Sequence, residues 1–221
     1  MCTMMSKLNI AVDGGKDSLS MAARVNGETI KSPGTLVIST YAPCPDVTVK
    51  ITPDLKSPAR NTVGELIWVN IEGKLRLGGS ALAQVFGQQG NDCPDLEQTE
   101  ILKKAFNVTQ KLLAKNILLA GHDISDGGLV VCLLEMAISG LSGLFVDLGV
   151  VLKEFFDDQG EEKNFEISAA ALLFAEECGW VLETDEENVE SVLNAFKEES
   201  VPAYHIGKSI GYGLQSKVRT N

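Results

Sequence analysis

The chain lacks an excess of basic residues: 19 Lys and Arg stand against 30 Asp and Glu, a formal charge of −11. A nucleic-acid partner favours a basic face, so the balance argues against that class of function and none is expected. A phosphorylated substrate is not, because a few local donors or a metal can reverse the local field. Long apolar runs are also missing, although 44% of the 221 residues are hydrophobic. No stretch approaches the roughly 20 residues of a membrane span. No apolar core or small-residue cleavage site follows the first residues, so no signal peptide is expected. Cys-x-x-Cys pairs are absent. The five cysteines, Cys2, Cys44, Cys93, Cys132 and Cys178, are odd in number and scattered. That argues against a zinc site or a disulfide framework and for reduced thiols in a cytoplasmic protein. None has the setting of an activated nucleophile, and no internal repeat is visible. The length suits one large domain, or one domain plus a fragment.

What is present is concentrated in Gly121-His122-Asp123-Ile124-Ser125-Asp126-Gly127-Gly128. This stretch follows the apolar, strand-like residues 117–120 and precedes a helix-like run, residues 129–137. Carboxylates at a strand end, beside the free N–H groups of a helix start, suit a hard cation and the anion it carries. An Asp/Ser cap followed by a glycine turn explains the same residues without a ligand.

Taken in order, residues 2–8 read as a helix that begins without a cap, as expected of a piece cut from a longer chain. Residues 9–12 read as a short strand. Asp13-Gly14-Gly15-Lys16-Asp17-Ser18 follows, where the glycines permit close backbone approach and Lys16 could meet a phosphate. It is not a Walker A loop, since the first glycine is missing and Asp17 replaces Ser or Thr. Residues 34–42 are β-branched and read as a central strand. Four prolines then mark a linker at 45–63. Residues 65–71 read as a buried strand. Gly78-Gly79-Ser80 leads into a helix at 81–86, with Gly79 or Ser80 as cap and Arg76 near by, a second place for an anion. Residues 96–115 form the clearest helix, with Leu102, Ala105, Phe106, Thr109, Leu112 and Leu113 on its apolar face. The helix after Gly128 is apolar nearly all round, which predicts burial between other elements. Residues 144–148 read as a strand, 153–166 as an acidic surface loop, 180–183 as a strand and 188–199 as an amphipathic helix. Residues 203–207 read as a last strand carrying a structural His205, and 211 onward as a frayed tail. Apolar faces on both helices and strands predict an α+β fold, an α/β sandwich with helices layered on a sheet.

Five ordered blocks carry a resemblance that covers essentially the whole chain: Asp13-Gly14-Gly15-Lys16-Asp17-Ser18-Leu19-Ser20-Met21, Pro53-Asp54-Leu55-Lys56, Leu77-Gly78-Gly79-Ser80-Ala81-Leu82-Ala83-Gln84, Gly121 to Gly128, and Leu173-Phe174-Ala175-Glu176-Glu177. Together they resemble the phosphoribosylformylglycinamidine synthase family in its large eukaryotic-type form, within the AIR-synthetase-like superfamily. The resemblance implies the end of a second synthetase half. Residues 1–44 would close an N-terminal-type subdomain, 45–63 would link, 64–213 would form the C-terminal-type domain and 214–221 a tail.

The implied activity is an ATP-dependent ligation of purine biosynthesis. Formylglycinamide ribonucleotide, glutamine and ATP give formylglycinamidine ribonucleotide, ADP, phosphate and glutamate. Ammonia would come from a separate glutaminase domain, a glutamine amidotransferase. The resemblance makes Asp123 a Mg²⁺ ligand and Ser125 an ATP contact, with Lys16, Gly78 and Gly79 as weaker phosphate candidates. It assigns no catalytic residue to this chain, so the isolated chain is expected to be inactive. Two alternatives share these residues: a structural ADP/Mg²⁺ module of the same enzyme, or another superfamily member such as AIR synthetase, selenophosphate synthetase or thiamine-monophosphate kinase. An apolar face uncovered near residues 19–41 implies a homodimer of the chain.

Overall fold

The structure, a computed structural model, describes residues 1–18, 20–32, 34–156, 165–212 and 216–219. It divides into two compact units, Met1–Thr48 and Val49–Asn221.

The first unit holds helix α1 (Cys2–Leu8), closed by Asn9 in the left-handed region at φ 58°. A hairpin follows, β1 (Ala22–Val25) with β2 (Glu28–Lys31), and Val25 pairs with Glu28. Asn26 and Gly27 both take positive φ, 50° and 87°, as a two-residue turn matched to strand twist requires. The expected strands at 9–12 and 34–42 do not form. A β-branched run becomes a strand only where another strand accepts its backbone bonds. Here Leu36, Val37 and Tyr41 are exposed.

The second unit is built on a six-stranded sheet in the order β4-β6-β3-β7-β5-β8. Its strands are β3 (Gly64–Asn70), β4 (Leu118–Asp123), β5 (Ser142–Asp147), β6 (Gly179–Asp185), β7 (Ala203–Tyr212) and β8 (Ser216–Arg219). Neighbours are antiparallel except β5 and β8. All seven residues of β3 are buried, because both of its faces are covered. Leu66 and Trp68 point to one core, with Leu129 and Met136 of α4 (Gly128–Gly140), Val151 of α5 (Gly149–Phe156) and Leu172 of α6 (Phe165–Phe174). Ile67 and Val69 point to the other, with Val108 and Leu112 of α3 (Thr99–Ala114) and Val192 and Phe196 of α7 (Val189–Glu198). The period-two alternation of one strand thus divides two helical layers, which is the expected α+β sandwich.

Several expectations need correction. On α3, Phe106 is 56% exposed and Val108 takes the buried place. Helix α4 is not enclosed: Leu134 and Ile138 face outward. The loop expected at 153–166 is entered by α5 and left by α6, and residues 157–164 lie outside the described residues. The expected tail carries β8, because β5 offers an edge and Leu144 to Asp147 pair with Ser216 to Arg219. Residues 49–63, read as linker, join the second unit. The Thr52 carbonyl accepts from Gly121 N–H at 3.1 Å, and Lys56 N–H donates to the fully buried Glu183 at 2.7 Å. No helix among the described residues is long and apolar enough to cross a membrane.

Candidate functional site

Strand β4 carries His122 and Asp123 to its last positions, and the chain then leaves the sheet. Ile124 N–H donates to the Gly179 carbonyl at 2.9 Å, and Gly128 N–H to the Ser125 carbonyl at 3.1 Å. Gly127 and Gly128 both take positive φ, 90° and 75°. A Cβ on Gly128 would lie 2.8 Å from the Leu173 carbonyl oxygen, so the second glycine allows the turn to pack on the end of α6. The turn is therefore fixed at its base, while the side chains of Asp123 and Ser125 face solvent.

The Asp123 carboxylate is 76% exposed and lies 3.2 Å from His122 Nδ1. The other imidazole nitrogen is 2.9 Å from Glu135 Oε2 on α4. Beneath them Cys132 is buried, and burial, with the charges of Asp123 and Glu135, pushes its thiol up to about 12. It stays protonated at neutral pH and is no nucleophile.

The second glycine turn, at Gly78-Gly79-Ser80, starts the short helix α2 (Ala81–Val85). Ser80 is its cap, as expected: its hydroxyl accepts from Ala83 N–H at 3.2 Å and donates to the Leu77 carbonyl at 2.7 Å. The amides of Gly78 and Gly79 are already committed, to Asp92 and Gln89 carbonyls at 2.8 and 2.6 Å. This withdraws both N–H groups from the anion role expected of them. Arg76 is withdrawn as well. It is buried, with two bonds to the Glu177 carboxylate at 2.6 and 2.8 Å and one to Glu97 at 2.9 Å. Hydrogen bonding to Glu177 raises the Arg76 guanidinium above its ordinary range, against the effect of burial.

The two turns meet on Glu176. One of its oxygens, Oε1, accepts from Gly127 N–H and from Ala81 N–H, each at 2.8 Å. Neither Glu176 nor Glu177 was singled out by residue pattern as a site residue. The only sequence signal is an acidic doublet directly after an apolar helix. Lys16 belongs to the first unit, where its Nζ donates to Ser18 Oγ.

Among the described residues no group of three or more His, Cys, Asp or Glu side chains is placed to hold a metal. The donor chemistry at Asp123 still fits Mg²⁺ as one ligand among several. It is an exposed carboxylate oxygen, and Mg²⁺ is commonly held by one or two carboxylates with waters and phosphate oxygens. A groove of about 1020 Å³ lies elsewhere, between α7 and β7, lined by Glu65, His205, Lys208 and Leu193. There His205 Nε2 meets Glu65 Oε2 at 2.7 Å, a pair that fastens β7 to β3 and fits the structural part expected of His205.

Two family models match the chain: "AIR synthase related protein, C-terminal domain" over residues 62–216 and "FGAR-AT PurM_N-like domain" over residues 1–43. The chain is 56% identical over 220 residues, 99% of its length, to phosphoribosylformylglycinamidine synthase of Drosophila melanogaster, and covers 16% of that protein. It is 46% identical over its full length to the enzyme of the same name from Homo sapiens, covering 15%. The chain thus spans about one sixth of the relatives it matches. Among solved structures it is similar to T. maritima PurL complexed with ATP, with TM-score 0.53 and 12% identity over 79% of this chain and 26% of that one. T. maritima PurL complexed with FGAR gives TM-score 0.54 and 11% identity, over 78% and 27%. At such identities the likeness shows the fold alone.

Proposed function

Because the chain belongs to the AIR synthase related protein family through its C-terminal domain, we propose that it is part of a phosphoribosylformylglycinamidine synthase. Such an enzyme is an ATP-dependent ligase that converts formylglycinamide ribonucleotide to formylglycinamidine ribonucleotide in purine biosynthesis. The observation that carries this reading is the high identity, over nearly the whole chain, to relatives bearing that name. In this reading the chain works in the cytoplasm with the rest of the synthetase core. A glutaminase domain supplies ammonia. The isolated chain, without that core to cover its first unit, pairs with a second copy of itself.

The turn after β4 is the nucleotide contact. Asp123 offers a carboxylate oxygen to Mg²⁺, and His122 beside it holds the carboxylate in one orientation. Ser125 offers a hydroxyl to a phosphate oxygen. Mg²⁺, when bound, neutralises phosphate charge. The amides of Gly78 and Gly79 have no share in this, and Lys16 stays a candidate on its own unit. One carboxylate from this chain is too few to hold Mg²⁺ firmly, so the isolated chain binds nucleotide weakly and turns nothing over.

Calorimetric titration of the chain with ATP tests the site. Affinity is expected to rise at least about tenfold when Mg²⁺ is added. Binding that ignores Mg²⁺ contradicts the assignment of Asp123.

A further inference from the structure

Glu176 stands where three segments converge. It lies two residues beyond α6, and its Oε1 accepts Gly127 N–H from the turn after β4 and Ala81 N–H from the start of α2. These donors are 49 and 95 residues away in sequence. The neighbouring Glu177 is locked to Arg76, whose backbone N–H also donates to the Glu177 carboxylate at 3.1 Å. The side chain of Glu177 is thus anchored directly beside Glu176.

The bonds act where the chain most needs them. Gly127, at φ 90°, has the widest conformational choice of any residue type, and it stands two positions after Ser125. Without a fixed N–H at Gly127 the turn could present Asp123 and Ser125 in many arrangements. A ligand site works when its groups are held within roughly half an ångström. Bonds from N–H groups to an ionised carboxylate are about twice as strong as neutral ones.

We infer that Glu176 is a positioning residue for the Asp123–Ser125 turn, its single oxygen clamping Gly127 and Ala81 together. It does not touch the ligand. The inference deepens the nucleotide reading of that turn and rests on it for its functional part.

Hydrogen exchange of the ligand-free chain, followed by NMR, tests the clamp itself. Glu176→Ala is expected to speed exchange at Gly127 and Ala81 together, by about tenfold or more, and to weaken Mg²⁺–ATP binding about tenfold. Glu176→Gln keeps an acceptor oxygen and is expected to restore both. If the Ala variant fails to fold, Glu176→Asp, one methylene shorter, is expected to loosen the same two amides. Unchanged exchange at either amide overturns the clamp, as does a Gln variant no better than Ala. Faster exchange at both amides with undiminished Mg²⁺–ATP binding overturns the positioning role. If Asp123→Asn leaves ATP binding untouched, the nucleotide reading fails while the exchange result still judges the clamp.

Discussion

Asp123→Asn is expected to remove the Mg²⁺-dependent part of nucleotide affinity, a loss of about tenfold or more, with folding stability unchanged within about 0.5 kcal/mol. The physical basis is the contrast between exposure and charge. The carboxylate is 76% exposed, so an amide of the same shape disturbs little packing. The amide lacks the negative charge that makes a carboxylate the stronger ligand for a hard cation. In the longer enzyme the same substitution separates chemistry from architecture. Turnover lost with melting unchanged makes the turn part of the reacting site. Turnover kept with lower melting in the presence of nucleotide makes it a structural nucleotide site, since a ligand at 100 times its Kd stabilises by about 2.7 kcal/mol. Parent-like values for binding, turnover and melting contradict both.

A large effect on stability is expected at the buried ion pair beside that turn. Arg76 and Glu177 are 9% and 3% exposed, and the fork of the guanidinium meets both carboxylate oxygens. Glu177→Ala would leave the guanidinium buried without its main partner, which costs about 3–5 kcal/mol. The lower figure applies, because Glu97 at 2.9 Å and the Asp95 carbonyl at 2.8 Å remain. For a chain of this size that is a drop in Tm of about 6–12 °C. Arg76→Met with Glu177→Leu is expected to recover much of the loss, since replacing both members of a buried pair is often neutral. A Glu177→Ala chain that melts within about 2 °C of the parent would mean the pair adds nothing.

What could be read from sequence follows the range of the interactions involved. Strand β3 was legible because a strand covered on both faces shows as the unbroken run Leu66-Ile67-Trp68-Val69. Helix α7 was legible from the spacing of Val192 and Phe196, and the α2 cap from Gly79-Ser80, of which Ser80 is the residue that caps. Asp123 and Ser125 stood out because carboxylate, hydroxyl and glycines fall within one turn. Their freedom to meet a ligand is a structural finding.

The failures have the opposite character. Residues 34–42 have strand chemistry, but strand formation depends on a partner that residue types do not reveal. The hairpin of the first unit did carry a local signal in Asn26-Gly27, a pair suited to two positive φ values. Phe106 fits a helical stripe as well as Val108 does, and only the docking of α3 on the sheet decides between them. Gly78 and Gly79 suggested an anion cradle, while the amides were taken by carbonyls 14 and 10 residues ahead. Glu176, Glu177 and Glu183 accept hydrogen bonds in the second unit from partners far away in sequence. Nothing in their local pattern separates them from solvated acids.

The central claim is that the turn after β4 holds the metal–nucleotide pair. Paramagnetic broadening by Mn²⁺, used in place of Mg²⁺ with the labelled chain and ATP, tests it most directly. Amide signals of residues 122–128 are expected to broaden first, with Ala81 next because its amide and that of Gly127 lie close together on one Glu176 oxygen, and only when ATP is present. Broadening centred on Glu65 and His205 in the α7–β7 groove, or none at saturating ATP, would contradict the claim.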